Sequence, residues 1–243
     1  MSKQAAHGTR IWLNQWDLSG YLNSSEQAVD QETPVVTCFA EAGPRRVVGN
    51  YDVSHSDLGL FDGTDDVIDE ILHALLENSS DHYLTKLFGS SAEGGVAYDS
   101  FVSLTKKPLS GAVGGAVLLN VESAGRNGIA RGNVLANLTA VAAGNRAGVN
   151  QGIKASGITY RVIFRLFAFA GTSVTMTVEQ SSDDAAGDPY AAVAGLTSGA
   201  LSAAGVVVAT TTAAMEAWRR VSLAGTFSSA LIGVTAGEVE GTA

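Results

Sequence analysis

Only one stretch of this 243-residue chain repeats its apolar residues at the helical period. Val67, Ile68, Ile71, Leu72, Leu75 and Leu76 fall at i, i+1, i+4, i+5, i+8 and i+9, which draws one stripe along a helix predicted over 64–78. Thr64 or Asp62 supplies its N-cap, and Asp65, Asp66, Asp69 and Glu70 crowd the positive end of its dipole. Asn78-Ser79-Ser80 ends it. A lone helix of about 14 residues does not hold together in water by itself. Its stripe must therefore lie on a sheet, and the rest of the chain has to supply that sheet.

The remaining segments carry strand and turn signals. Thr9 to Leu22, TRIWLNQWDLSGYL, predicts a tight hairpin with Trp12 and Trp16 near its turn, because Asn14 tolerates the left-handed backbone a two-residue turn demands. Glu26 to Pro34 is polar and acidic, and Val35 to Phe39 follows as a β-branched strand. The stretch EAGPRRVVG, 41–49, is a loop or bulged edge, since Pro44 removes a ladder donor. Asn50 to Phe61 predicts a strand with one wet face: Tyr51, Val53, Leu58, Leu60 and Phe61 are apolar, with Asp52, Ser54 and Asp57 between. YLTKLF, VAYDSFVSL and AVLLNV continue as short strands, punctuated by Gly94-Gly95 and Lys106-Lys107-Pro108.

Near Gly125 the composition turns small, Gly/Asn/Ala-rich and almost free of acids. Beyond it, Tyr160, Val162, Phe164 and Leu166 alternate with Arg161, Ile163 and Arg165, and Val174, Met176 and Val178 alternate with Thr175, Thr177 and Glu179. A turn from Ser182 to Pro189 and strands near 218–223 and 227–234 complete an all-β sandwich. The expected organisation is two domains, 1–125 with the helix and 126–243.

The charge is unevenly placed. Residues 1–90 hold 14 Asp/Glu against 5 Lys/Arg, together with all four histidines, whereas residues 91–243 hold 10 of each sign, so the net charge of −9 belongs to the first 90. Phosphate contacts need Lys and Arg, so this distribution opposes binding to DNA by surface attraction. It suits a surface that DNA passes without adhering. The single Cys38 excludes an internal disulfide framework and is expected as a small buried strand residue. The start MSKQAAHGTR has no apolar core of a secretory signal, and the longest apolar runs are too short and Gly-rich for a spanning helix, so synthesis in the cytosol is expected.

No GxSxG, HExxH, GxxxxGK[ST] or GxGxxG occurs, so no catalytic residue, cofactor or metal site is predicted, and no enzymatic activity. The acids at the helix start have a sufficient electrostatic reason to be there. His73 has no second His at i+3 or i+4, and His55 and His82 are equally isolated. Asp183, Asp184 and Asp188 around Gly187 lack EF-hand spacing and are explained by a strand-connecting turn. The residues retained as a candidate site are Pro44, Arg45 and Arg46, either solvated in their loop or reaching carboxylates on the acid-rich half of a neighbouring subunit.

The run TRIWLNQWDLSGYLN through VVTCFAEAGPRRVVGNYDVSHSDLGLFD, with the helix after it and GGVAYDSFVSLTKKPLSGAVGGAVLLNVESAG, resembles the major tail tube proteins of long-tailed bacteriophages over roughly residues 9–125. Residues 126–243, with GTSVTMTVEQSSDD, resemble the extra C-terminal β-sandwich of some actinobacterial phage tail proteins. The resemblance implies a mainly β fold, a tail-tube-like sandwich or half-barrel with one packed helix and a second all-β sandwich. It also implies hexameric rings stacked into a tube that DNA passes during ejection, contacts with other tail proteins, no membrane, and residence in the virion after assembly in the host cytoplasm. Two other readings stay open: another virion subunit, such as a capsid decoration or tail terminator protein, or a carbohydrate-binding module motivated by Trp218, Tyr160 and Tyr190.

Overall fold

The computed structural model describes residues 9–31, 33, 51–61, 68–78, 81–111 and 115–240. They form a mainly β protein with a single helix among the described residues, and every register found is antiparallel. In chain order the elements are β1 (Arg10–Leu13), β2 (Trp16–Asp17), β3 (Leu22–Gln31), β4 (Tyr51–Leu60), α1 (Ile68–Glu77), β5 (His82–Leu87), β6 (Val96–Lys106), β7 (Leu109–Ser110) and β8 (Leu118–Val141). They continue with β9 (Gly144–Asn145), β10 (Val149–Asn150), β11 (Tyr160–Ser181), β12 (Ala191–Leu201), β13 (Gly205–Thr211) and β14 (Trp218–Glu240). The described residues of 1–19, 83–99 and 130–240 pack as one compact unit, and those of 20–82 and 100–129 as another. β6 and β8 contribute residues to both, and the composition change near Gly125 falls inside β8.

The first unit is organised by its two longest strands. β11 and β14 stay paired from Tyr160↔Glu238 to Ser181↔Trp218, with register shifts confined to Leu166–Ser173. On the other edge of β11, β13 runs along 160–166 and β12 along 174–180. Phe164 and Leu166 from one end of β11, Met176 and Val178 from the other, and Val221, Leu223, Ile232 and Val234 of β14 share one core. A sheet whose two ends bury the same core must curl over itself, as two sandwich layers do. Fully burying side chains of this size is worth roughly 1.5–3 kcal/mol each, which makes this core the main support of the unit.

The predicted N-terminal hairpin is present in the same unit. Trp12 pairs Asp17 and Leu13 pairs Trp16, and Asn14 takes a φ of 50°, the left-handed value foreseen for it. Its side-chain oxygen accepts from Tyr83 N–H at 2.8 Å, while Asp17 binds Arg10 at 2.8 Å. Trp12 is fully buried with Leu87, Ala97 and Val134, and Phe167 meets its ring edge-on at 5.6 Å. A Cβ on Gly233 would lie 2.9 Å from Phe167 and 3.0 Å from Trp12, so only glycine leaves room for that ring pair.

In the second unit β4 is the middle strand, pairing β3 on one side and β8 on the other. Val53, Leu119 and Val121 are buried on one face of this sheet, and Ile68, Leu72 and Leu75 are buried on α1. Ile71 is half-buried and Leu76 exposed, so the helix stripe is narrower than predicted. Val67 and the capping candidates Asp62 and Thr64 lie outside the described residues. The helix is tied at both ends. Lys107 Nζ reaches the Asp69 carboxylate at 2.5 Å and its carbonyl at 3.2 Å, and His82 Nε2 donates at 2.9 Å to the Leu75 carbonyl, a last-turn acceptor it shares with Asn78 N–H at 3.3 Å.

The polar run Glu26–Gln31 forms the end of β3, made a strand by its pairing with β4. One sequence expectation needs correction here. Leu58 and Leu60 do not face the core: alternation along β4 buries Val53, His55 and Asp57 and leaves Leu58 and Leu60 36% and 50% exposed. Arg161 and Arg165, which alternate with the apolar side chains of β11, are both buried. Cys38 and the strand predicted over Val35–Phe39 lie outside the described residues.

Candidate functional site

The exposed face of the β3–β4–β8 sheet carries acids and serines along most of its length and Leu58, Leu60 and Leu118 at one end. Alternation brings Ser24, Glu26, Ala28 and Asp30 of β3 beside Asp52, Ser54, Ser56, Leu58 and Leu60 of β4, and these beside Leu118, Asn120, Glu122 and Ala124 of β8. Four carboxylates and three serines lie on it, and none of these positions is Lys or Arg. A basic side chain reaches it from one side, where Lys106 pairs with Glu122 at 3.0 Å. Ser56 Oγ donates to Asn120 Oδ1 at 3.3 Å across two strands. Such a face repels phosphate rather than holding it.

The rim of this face is a strand edge. Among the described residues β3 pairs only with β4, so the outward N–H and C=O groups of a ten-residue strand present a template for another strand. Val29 sits opposite Val53 on the core side of the sheet yet is 42% exposed, an apolar position that a further strand would cover. Pro44, Arg45 and Arg46, the residues singled out from sequence, lie outside the described residues.

The first unit holds a polar cluster that sequence reasoning missed. Asp99 on β6 is fully buried and accepts from the hydroxyls of Thr85 and, at 2.8 Å, Thr235. Arg165, also fully buried, donates through Nε to the Asn14 carbonyl at 2.9 Å and through Nη2 to the Tyr83 carbonyl at 3.1 Å, and lies over the Trp12 ring at 5.7 Å. Burial pushes the Asp99 carboxyl above its ordinary range while the Arg165 charge pulls it back; burial likewise brings Arg165 down to about 10 against the pull of Asp99. Asp99 Oδ2, Arg165 Nη1 and Trp12 Nε1 are buried without a hydrogen-bond partner, and the two charged groups answer one another through space.

The acidic turn proves structural. Ser181 Oγ donates to the Asp188 carbonyl at 2.7 Å and accepts from Ala185 N–H at 2.9 Å, and Asp188 accepts from Ser182 N–H at 2.9 Å. Asp183 accepts from Asp188 N–H at 3.1 Å, and Tyr190 donates to Asp184 at 2.5 Å. The carboxylates are spent on backbone donors and a phenol, and among the described residues no group of acids, His and Cys converges as a metal site would. His73 pairs with Glu77 at 3.3 Å along the exposed side of α1.

No protein-family model and no curated protein matches the chain. Among solved structures it is similar to a chain of a native gene transfer agent virion, at 18% identity and a TM-score of 0.42, over 53% of this chain and 98% of that one. It is similar to the SPP1 tail tube at 12% identity and a TM-score of 0.45, over 53% of this chain and 78% of that one. Over 94% of its length it also aligns with 98% of the SPP1 Dit protein, at 11% identity and a TM-score of 0.37. At these identities and TM-scores the likenesses carry no argument about what the chain does.

Proposed function

We propose that the chain is a structural virion protein of a phage tail, without enzymatic activity, whose copies close into hexameric rings and stack into a tube for DNA ejection. The observation that carries this reading is the acid-and-serine face of β3, β4 and β8, bordered by an edge of β3 that no strand among the described residues pairs. It lies in the part of the chain whose sequence resembles tail tube proteins. A tube wall needs a lining that does not retain polyphosphate and an edge through which the next copy continues the sheet. Edge pairing between copies also removes the aggregation hazard that an uncovered ten-residue strand carries.

In this proposal residues 1–125 supply the tube-like part and 126–243 an appended sandwich, and Pro44, Arg45 and Arg46 bridge to carboxylates of a neighbouring copy. Other tail proteins cap or extend the tube, and DNA passes without specific binding. Negative-stain imaging of the concentrated full chain tests the central statement. Open-ended tubes with a central channel are expected, and discrete particles at every concentration overturn it. Changing Arg45 and Arg46 together to Glu is expected to block assembly while circular dichroism stays that of the parent chain. Normal tubes from that variant remove the bridging role and leave the rest standing.

A further inference from the structure

A cleft of about 360 Å³ opens in the first unit and belongs to none of the features above. Its lining includes Arg131, Asn133, Gln151, Ile158, Arg219 and Glu238. The interior is built from a closed hydrogen-bond network. Gln151 Oε1 accepts from the Tyr160 hydroxyl and, at 3.2 Å, from Arg219; Gln151 Nε2 donates to Asn133 Oδ1 at 3.2 Å and to the Ala236 carbonyl at 3.0 Å. Arg219 is 1% exposed, donates to the Gly152 carbonyl at 3.1 Å and lies over the Tyr160 ring at 5.0 Å; its buried Nε has no partner. Gly132 and Gly237 bring β8 and β14 together here so closely that a Cβ on Gly132 would fall 1.9 Å from the Ala236 carbonyl oxygen.

The groups left for a ligand stand at the rim. Arg131 and Glu238 are both exposed, and among the described residues neither side chain makes a hydrogen bond or a salt bridge, although Glu238 interacts through space with the buried Lys154. Beside them Ile158, 39% exposed, offers an apolar wall. We propose that this cleft binds a neutral, hydroxyl-rich ligand of the saccharide type. A hydroxyl both donates and accepts, so one ring satisfies the Glu238 carboxylate and the Arg131 guanidinium together, with its C–H face on Ile158. A carboxylate ligand meets Glu238 as a like charge, and an amine meets Arg131 and Arg219. The volume lies toward the small end of the 300–1,000 Å³ usual for ligand sites, with a preformed polar floor. Binding through stacking on Tyr160 or Tyr190 is closed, because Tyr160 is 2% exposed and Arg220 covers the Tyr190 ring at 4.0 Å. This inference does not depend on the tube reading.

Saturation-transfer difference NMR on the full chain tests it, with D-glucose, D-galactose, D-mannose and N-acetyl-D-glucosamine as probes in the millimolar range and acetate as the charged comparison. At least one sugar is expected to show transfer that acetate does not displace, weakened by about tenfold or more in Glu238→Gln and in Arg131→Ala and unchanged in Arg126→Ala. The mutated side chains are exposed, so circular dichroism is expected to match the parent. Absence of transfer from all four sugars, binding of acetate at this site, or sugar transfer unaffected by both cleft variants each overturns the proposal.

Discussion

Two polar faces in this molecule look alike in sequence and end in opposite surroundings. On β4, Asp52, Ser54 and Ser56 alternate with buried neighbours and remain in water; on β11, Arg161 and Arg165 alternate with apolar residues and are buried. The difference lies in what faces each of them. The β4 face sets Asp52 opposite Asp30 of β3 and Ser56 between Glu26 of β3 and Glu122 of β8, and like charges cannot be dehydrated together. The β11 face meets Asp99, the Asn14 and Tyr83 carbonyls and the Trp12 ring, which between them compensate a guanidinium by charge, hydrogen bonds and a π face. A polar alternation thus marks a face that needs either water or a matched partner.

The sharpest way to break this contrast is to unmatch the buried side. Asp99→Ala leaves Arg165 charged and uncompensated, and a loss of about 3–5 kcal/mol is expected in chemical denaturation. Removing Trp12, which lies under Arg165 and against Phe167, is expected to cost about 3–5 kcal/mol in the same measurement. Thr235→Val removes one hydrogen bond to Asp99 and is expected to cost about 1–3 kcal/mol.

On the wet side, Glu26→Lys, Asp30→Lys or Asp52→Lys should each move stability by no more than about 0.5 kcal/mol. Together they should create salt-sensitive retention of duplex DNA in a gel-shift assay where the parent shows none. A loss of several kcal/mol from any one of the three would erase the distinction between the faces.

The two sides should also differ with pH. The Asp99 carboxyl titrates above its ordinary 3.8 in the folded state, so the stability it contributes is full below 3.8 and is lost as pH rises through the folded value; Asp99→Asn should lack that fall in a denaturation series. The smallest expected effect is at the acidic turn. Asp188 titrates below 3.8, chiefly through the Ser182 N–H, so the turn should keep its hydrogen bonds until acid passes that lower value. The Ser182 amide shift reports it, and a midpoint at or above 3.8 would contradict the geometry.

What the sequence made legible were features decided within a few residues of each other. Asn14 announced its turn, the helix stripe announced the burial of Ile68, Leu72 and Leu75, and the Ser182–Pro189 cluster announced its connection. What stayed hidden depended on partners distant in the chain. β3, LNSSEQAVDQ, has no apolar alternation of its own and is a strand because β4 pairs with it. β12, rich in Ala and Gly, is likewise defined by β11. The burial of Arg165 requires Asp99 and Trp12, and nothing local to 160–166 discloses either. The cleft was just as inaccessible: Arg131, Gln151, Arg219 and Glu238 are brought together by topology alone.

The pairing of β11 with β14 has a kinetic corollary. Residue 160 meets residue 238 and residue 181 meets residue 218, so the sheet of the first unit rests on contacts far apart along the chain, the class that folds slowly. β14 also follows in sequence every strand it joins, β8, β9, β10 and β11. β9 and β10 wait for residues 218–223, and β11 cannot complete its ladder until residue 238 has left the ribosome. The unit is therefore expected to fold after synthesis of these strands and not during it, and β8 and β11 need shelter from neighbouring nascent copies in the interval.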